Sequence, residues 1–289
     1  MTNNYLNYLD SFPSELEQTI EKNPIAYIPF GALEWHGEHN VLGVDSLKAE
    51  HILKRTAEET GGVLFPCVNW GAFGVMNFPY TFDFSKRCLK KLTKKLVKQL
   101  YEMGFRVIVL LTGHYPRGQI RQVRKACEKI SKKYDNCFAL GIPEQALATD
   151  MGYYGDHAAE WETSMMLAIN QEYVDLTKLP EGLNFPERCI RHGVMGKDPN
   201  IHSSQEKGKQ ALGHIIKKLA TAVNEVITTQ SINPFDKIYR EFDTAKKNLN
   251  LSNKLEVYGI KNKSEGLAYL KWEIFKRGEH NPDYSYTGK

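Results

Sequence analysis

A short apolar run leads directly into a segment dense in carboxylates and imidazoles, and this transition limits the folds open to the chain. The run, residues 25–30, precedes Glu34, His36 and Asp45, and a helical pattern of apolar residues begins just after them. Glu34 and His36 are two residues apart, so both side chains leave the same face of an extended segment. Such side chains make a poor core but hold metal ions well. We therefore predict a buried strand followed by three ligands of a two-metal site.

Strand-like and helix-like segments then alternate along the chain. This alternation favours an α/β fold with a mainly parallel sheet flanked by helices on both faces, a three-layer arrangement. Ligands of such sheets bind beyond the carboxyl ends of the strands, where the residues above and His114 all fall. The predicted strands are residues 25–30, 63–65, 106–111 and 138–140. The predicted helices are residues 13–22, 47–60, 86–103, the segment after His114 to about 133, a helix opening within residues 155–164 and running to 169, and residues 205–227, 236–248 and 264–277.

The 289-residue length fits one large α/β domain or two small ones. The regular pattern loosens after residue 174, and residues 232–289 are rich in lysine and asparagine. We predict a main domain over residues 1–230, which holds the predicted metal site, and a helical C-terminal extension over residues 231–289. The extension is expected to cover a neighbouring surface or a partner subunit.

Composition points to a cytoplasmic protein without a membrane anchor. The five cysteines are widely spaced and include no C-x-x-C pair, which favours free thiols in a reducing compartment over thiolate metal ligation. No run approaches the ~18 apolar residues of a membrane span. The N-terminus has neither a basic start nor an apolar stretch typical of a signal peptide.

The lysine-rich helix over residues 86–103 raises the alternative of a nucleic-acid-binding protein. Its lysines lie opposite a leucine stripe, however, and only one arginine, Arg87, and no aromatic residue is interleaved with them, so a solvated helix face is the simpler interpretation. The net charge of +4 is also too small to indicate a strongly basic face. We predict no nucleic-acid partner.

Four of the nine histidines lie at strand ends or helix starts with carboxylates nearby: His36, His39, His114 and His157. Any one of them alone is more often a core or surface histidine, and it is their shared location that favours metal chemistry. His157 and Glu160 are three residues apart and face the same side of a helix. Helical-bundle di-iron sites use the same spacing, but a second such pair is missing and the chain is not all-helical.

These residues carry a resemblance. Four blocks occur in order: P-F-G-A-L-E-W-H-G at residues 29–37, Asp45, T-G-H at 112–114 and H-A-A-E-W-E-T-S at 157–164. Together they resemble the motifs of the creatininase (creatinine amidohydrolase) family. A weaker match, E-K-G, follows at residues 206–208. The resemblance implies an α/β fold, two divalent metal ions per chain (commonly zinc, manganese or iron) and hydrolysis of a C–N bond in a small cyclic amide or formamide. It also implies a homo-oligomer, often a homohexamer.

The family's metal ligands match residues of this chain one by one. The resemblance implies that Glu34 and His114 hold one metal ion, that His36 holds the other, and that Asp45 bridges both. In creatininase itself a glutamate at the position of Pro116 completes the second site, and proline cannot ligate.

Family members without that glutamate usually carry one in the last motif, and Glu160 is therefore predicted as the fifth ligand. Glu162 is predicted to be structural. His157 matches the histidine that handles protons beside the substrate and is the predicted catalytic residue.

The chemistry also follows from the residue types. Carboxylate oxygens and imidazoles without thiolates suit zinc, manganese or iron(II). Two such ions about 4 Å apart bring the pKa of a shared water toward neutrality, so that a bridging hydroxide can attack a polarised carbonyl. A nearby histidine can then protonate the leaving nitrogen.

The departures from the family pattern concern the substrate. Thr112 replaces the usual asparagine, and the loop over residues 73–80 lacks the family's histidine and glycine. The longer loop over residues 69–80 is of a kind that closes over substrates. The predicted function is a binuclear-metal amidohydrolase with a small-molecule substrate, and turnover of creatinine itself is not expected. The alternative is an inactive metal-binding or scaffold protein on the same fold.

Overall fold

The computed structural model describes residues 4–72 and 78–275 and shows an α/β fold built on one five-stranded sheet. The strand order is β1-β3-β2-β4-β5, and all neighbouring strands run parallel. The predicted mainly parallel α/β fold is thereby confirmed. The strands are β1 (Leu6–Asn7), β2 (Ile25–Phe30), β3 (Val63–Leu64), β4 (Val107–Thr112) and β5 (Phe138–Pro143).

Helices follow most of the strands, as the alternating pattern predicts. They are α1 (Pro13–Lys22), α2 (Val44–Thr60), α3 (Lys86–Glu102), α4 (Arg117–Lys133), α5 (Glu160–Ile169), α6 (Phe185–His192), α7 (Pro199–His202), α8 (Gln205–Thr229), α9 (Asn233–Asn248), α10 (Leu251–Val257) and α11 (Lys263–Phe275). Helix α2 begins three residues earlier than predicted. Asp45 therefore lies inside its first turn, and Gly43 is the N-cap.

The sheet separates two apolar layers because successive residues of a strand point to opposite faces. One face of β2 and β4 packs, together with β5, against apolar residues of α2, α8 and α9. The other face packs against α3 and α4. All six residues of β4 are buried, which explains why its sequence is apolar throughout. The three-layer arrangement follows directly from this division.

The carboxyl ends of β2 and β4 lie side by side. The register pairs Phe30 with Thr112, so the residues that follow the two strands emerge at the same level. The chain continues from β2 toward β3 on one side and later returns to β4 on the other, which makes this the switch point where parallel sheets bind ligands.

Two glycines bring the start of α2 onto these strand ends. A Cβ at Gly113 would lie 2.0 Å from the Asp45 carbonyl oxygen, and one at Gly31 would lie 2.7 Å from the Ser46 Cα atom. No side chain larger than hydrogen fits at either position. The close approach holds Asp45 between the ends of β2 and β4.

The helices after α8 pack against the rest of the chain. Helix α9 buries Phe235, Ile238, Tyr239 and Phe242 in the same core as α2 and α8. The boundary at residue 230 falls between α8 and α9 and stays a prediction. Residues 276–277 of the predicted last helix, and residues 73–77 of the predicted substrate loop, lie outside the described residues.

One property of the helices bears on the predicted absence of a membrane anchor. Among residues 4–72 and 78–275, no helix combines the length and apolar character needed to cross a bilayer.

Candidate metal centre

Six side chains that can bind metal or carry protons converge at the carboxyl end of the sheet. Two follow β2, one lies in the first turn of α2, one follows β4, one lies in the first turn of α5 and one lies three residues before α5. All are buried except His157, which is partly exposed. They are Glu34, His36, Asp45, His114, Glu162 and His157.

Asp45 is shared between two groups of ligand atoms. Its Oδ2 atom lies 2.9 Å from His114 Nδ1, and the same nitrogen lies 3.0 Å from Glu34 Oε2. Its Oδ1 atom lies 3.2 Å from His36 Nε2, which is 3.4 Å from Glu162 Oε2. A carboxylate whose two oxygens face different imidazoles has the geometry of a bridge between two cations.

Backbone carbonyls fix the orientation of the histidines. His36 Nδ1 lies 2.9 Å from the Glu34 carbonyl oxygen, and His114 Nε2 lies 2.8 Å from that of Ala72. Since a carbonyl oxygen only accepts, each of these nitrogens is an N–H donor. The opposite nitrogen of each ring then faces the carboxylates, which is the arrangement of metal-binding histidines.

The buried carboxylates of the cluster make positive charge favourable at this position. Burial lowers the pKa of His36, but Asp45 and Glu162 outweigh it and raise that pKa to about 9. Burial raises the pKa of Asp45, but His36 and His114 outweigh it and hold that pKa well below its usual range. The carboxylates thus draw protons onto the imidazoles when no metal ion is present.

A divalent cation would supply the positive charge that the buried carboxylates favour. His36 Nε2 and Asp45 Oδ2 are buried and have no hydrogen-bond partner of good geometry among the described residues. The atoms of Glu34, Asp45 and His114 lie within 4.8 Å of one another, as do those of His36, Asp45 and Glu162. The residues present therefore fit divalent metal ions.

The two glutamates of the last motif have different surroundings. Glu162 faces His36, whereas the Glu160 carboxylate, predicted as the fifth ligand, forms an ion pair with Lys207. Within residues 4–72 and 78–275, no group of candidate metal ligands includes Glu160.

A signal for this difference was available in the sequence. Met165 and Met166 follow Glu162 at i+3 and i+4, and both are fully buried. That spacing identifies the inward face of α5.

His157 borders the cluster and joins it to an aromatic wall. Its Nδ1 atom lies 3.9 Å from Glu34 Oε2, and its Nε2 atom donates to the Trp35 carbonyl oxygen at 3.0 Å. The ring stacks on Phe78, with 4.8 Å between centroids and 7° between planes. Burial, followed by the charge of His36, lowers the pKa of His157. The imidazole is therefore neutral near pH 7, and its free Nδ1 atom faces the site.

Sequence reasoning missed the residue that backs the cluster, Lys48. This lysine is fully buried, and its Nζ atom contacts Glu162 and Glu144. Its position three residues after Asp45 in a helix was the available signal, because residues at that spacing share a helix face.

A parallel α/β sheet with carboxylates and histidines at its switch point is the architecture of a metal-binding α/β enzyme. The family model described as "Creatininase: Creatinine amidohydrolase" matches residues 12–223, well over half of the chain. This protein belongs to the creatininase family of amidohydrolases. The predicted family and the predicted enzyme class, a hydrolase of C–N bonds, are confirmed.

Individual relatives agree with this assignment. The creatinine amidohydrolase of Pseudomonas putida is 26% identical over 231 residues, which cover 70% of this chain and 89% of that protein. A crystal structure of creatinine amidohydrolase superimposes with a TM-score of 0.65 at 22% identity, covering 76% of this chain and 97% of the other. A structure described as "Creatininase Mn" gives a TM-score of 0.63 at 22% identity, covering 76% and 98% of the two chains.

Proposed function

We propose that this protein is a binuclear-metal amidohydrolase that cleaves a C–N bond in a small cyclic amide or formamide. The observation that carries the proposal is Asp45, whose two oxygens face His36 and His114 on opposite sides. A single metal ion would use one Asp45 oxygen and its histidine and would leave the other oxygen and histidine without a metal ion. Membership in an amidohydrolase family supplies the reaction class.

The proposed ligands fall into two sets that share Asp45. Glu34 and His114 complete one set, and His36 and Glu162 complete the other. Glu162 takes the place that the motif alone suggested for Glu160, because only Glu162 lies beside His36. Oxygen and imidazole donors suit zinc, manganese or iron(II), and one solved relative is described as a manganese form.

The metal ions would supply acidification of a water molecule and polarisation of the scissile carbonyl. The protein holds its ligands in fixed tautomers and shields them from bulk water. His157 is the proposed catalytic residue, because its neutral Nδ1 atom can take a proton from water and return it to the leaving nitrogen. Phe78 and the Trp35 carbonyl hold the ring in place for that transfer.

The departures in the loop and at Thr112 leave the substrate open within this class. Three further points stay predictions: that the substrate is a small molecule, that the protein is a homo-oligomer, and that it is cytoplasmic.

The test combines metal analysis with an assay on creatinine, lactams and formamides, with and without a chelator. We expect two metal equivalents per wild-type chain and chelator-sensitive hydrolysis of at least one compound. Asp45→Ala should lose both metal ions and the activity, whereas Asp150→Ala, at an exposed aspartate paired with His214, should keep both. A folded wild-type protein that binds no divalent metal would overturn the proposal.

A further inference from the structure

A fully buried lysine lies directly behind the proposed second metal site. Lys48 is one helical turn beyond Asp45 in α2, and its side chain is 0% exposed. Its Nζ atom lies 2.5 Å from Glu162 Oε1, 3.0 Å from Glu144 Oε1 and 2.5 Å from the Tyr115 hydroxyl. The ammonium group thus has three oxygen partners and no contact with solvent.

A buried ammonium group is costly unless it is paired and hydrogen-bonded. Here burial lowers the pKa of Lys48, but Glu144 and Glu162 outweigh it and raise that pKa above its usual value. Lys48 is therefore cationic. Apolar residues in place of the whole lysine–glutamate network would fill the same space without this electrostatic cost, so packing alone does not account for a lysine here.

The two oxygens of Glu162 have separate partners. Oε1 is held by Lys48, while Oε2 accepts a hydrogen bond from the Ala158 backbone N–H at 2.7 Å and lies 3.4 Å from His36 Nε2. Rotation of the carboxylate would break both the lysine contact and the backbone contact. Only Oε2 is therefore presented to the space shared with His36 and Asp45.

We propose that Lys48 is a positioning residue that makes Glu162 a one-oxygen ligand of the second metal ion. This inference rests on the proposed function, because it assigns Lys48 a role at one of the two proposed sites. Lys48 does not contact Glu34 or His114, so its effect should be confined to the site formed by His36, Asp45 and Glu162.

The decisive measurement is zinc affinity, determined for both sites by competition with a chromophoric chelator. Lys48→Met should weaken the second site by about 10- to 100-fold, the usual effect of removing a group that orients a metal ligand. The first site should keep its wild-type affinity. Lys207→Met is the matched control, because it removes the lysine partner of Glu160 instead, and both affinities should be unchanged.

A second variant keeps the net charge of the buried network unchanged, so that it is less prone to misfold than Lys48→Met alone. Lys48→Met combined with Glu144→Gln removes one positive and one negative group from the same network, and it should show the same loss at the second site.

The outcomes separate this inference from the proposed function. Wild-type protein with two zinc sites, and folded Lys48→Met protein with two sites of wild-type affinity, would overturn the positioning role and leave the hydrolase proposal intact. Equal weakening of both sites would also overturn it, since the effect would then be general. Wild-type protein that binds no zinc, manganese or iron would overturn the proposed function itself.

Discussion

Glu160 and Glu162 lie two residues apart at the start of α5, and both are buried, yet they have different partners. Glu160 pairs with Lys207, whose side chain is 31% exposed, and Glu162 pairs with Lys48, which is 0% exposed. Since an α-helix turns by about 100° per residue, positions two apart point to nearly opposite sides. The residue type and the motif are the same for both, and the rotation of the helix decides which one faces the candidate metal centre.

The two ion pairs also differ in their dielectric surroundings. Water near Lys207 weakens its attraction to Glu160, so that pair contributes little to stability. The Lys48–Glu162 pair is sealed from water, and removing either partner leaves a buried charge uncompensated. We therefore expect the inner pair to matter for both the proposed metal site and the fold, and the outer pair to contribute little to either.

The largest expected effect distinguishes the two glutamates directly. Glu162→Gln should lose the second metal ion and with it the hydrolytic activity, because an amide oxygen is a weaker ligand than a carboxylate. Glu160→Gln should keep both metal ions and near wild-type activity. Metal content by mass spectrometry and hydrolysis rates on a responsive substrate give the comparison.

The reverse result would assign the fifth ligand to Glu160, as the motif alone suggested. The helix would then have to rotate on metal binding, and a crystal structure of the metal-loaded protein would show that rotation. Loss of metal in both variants would mean that the region responds as a unit and that neither glutamate can be singled out.

A second prediction separates proton transfer from metal binding within the same segment. His157→Gln should keep both metal ions but lower kcat by about 10²- to 10⁴-fold, the usual contribution of a general acid–base group. Its ring packs on that of His36 with 4.2 Å between centroids, but the hydrogen bond from His36 Nδ1 to the Glu34 carbonyl oxygen does not involve His157, so His36 should keep its orientation. Metal content and kcat should be measured on the same preparation, and loss of a metal ion would identify His157 as a ligand instead.

Much of the site could be predicted from the sequence because its residues follow apolar strands. The runs that form β2 and β4 are continuous, and Glu34, His36 and His114 come shortly after them. Strand β1 was not predicted, since its two residues are too few to show a pattern.

Contacts between distant segments could not be predicted in the same way. Lys48 and Glu162 are 114 residues apart, and nothing in either segment alone identifies the other as its partner. The close approach of Gly113 to Asp45 likewise depends on how α2 lies across two strands.

The smallest expected effect concerns the outer pair, Lys207 and Glu160, which should contribute little to the free energy of unfolding. Lys207→Met should change the free energy of unfolding by no more than about 1 kcal/mol, because the lysine is partly solvated and the pair is screened. Lys48→Met should cost about 3–5 kcal/mol, since it leaves buried carboxylates without their cation. Urea unfolding of both chelator-treated variants measures the difference without any contribution from bound metal. Equal losses for the two substitutions would contradict the distinction, because solvent exposure would then not decide what a lysine–glutamate pair contributes here.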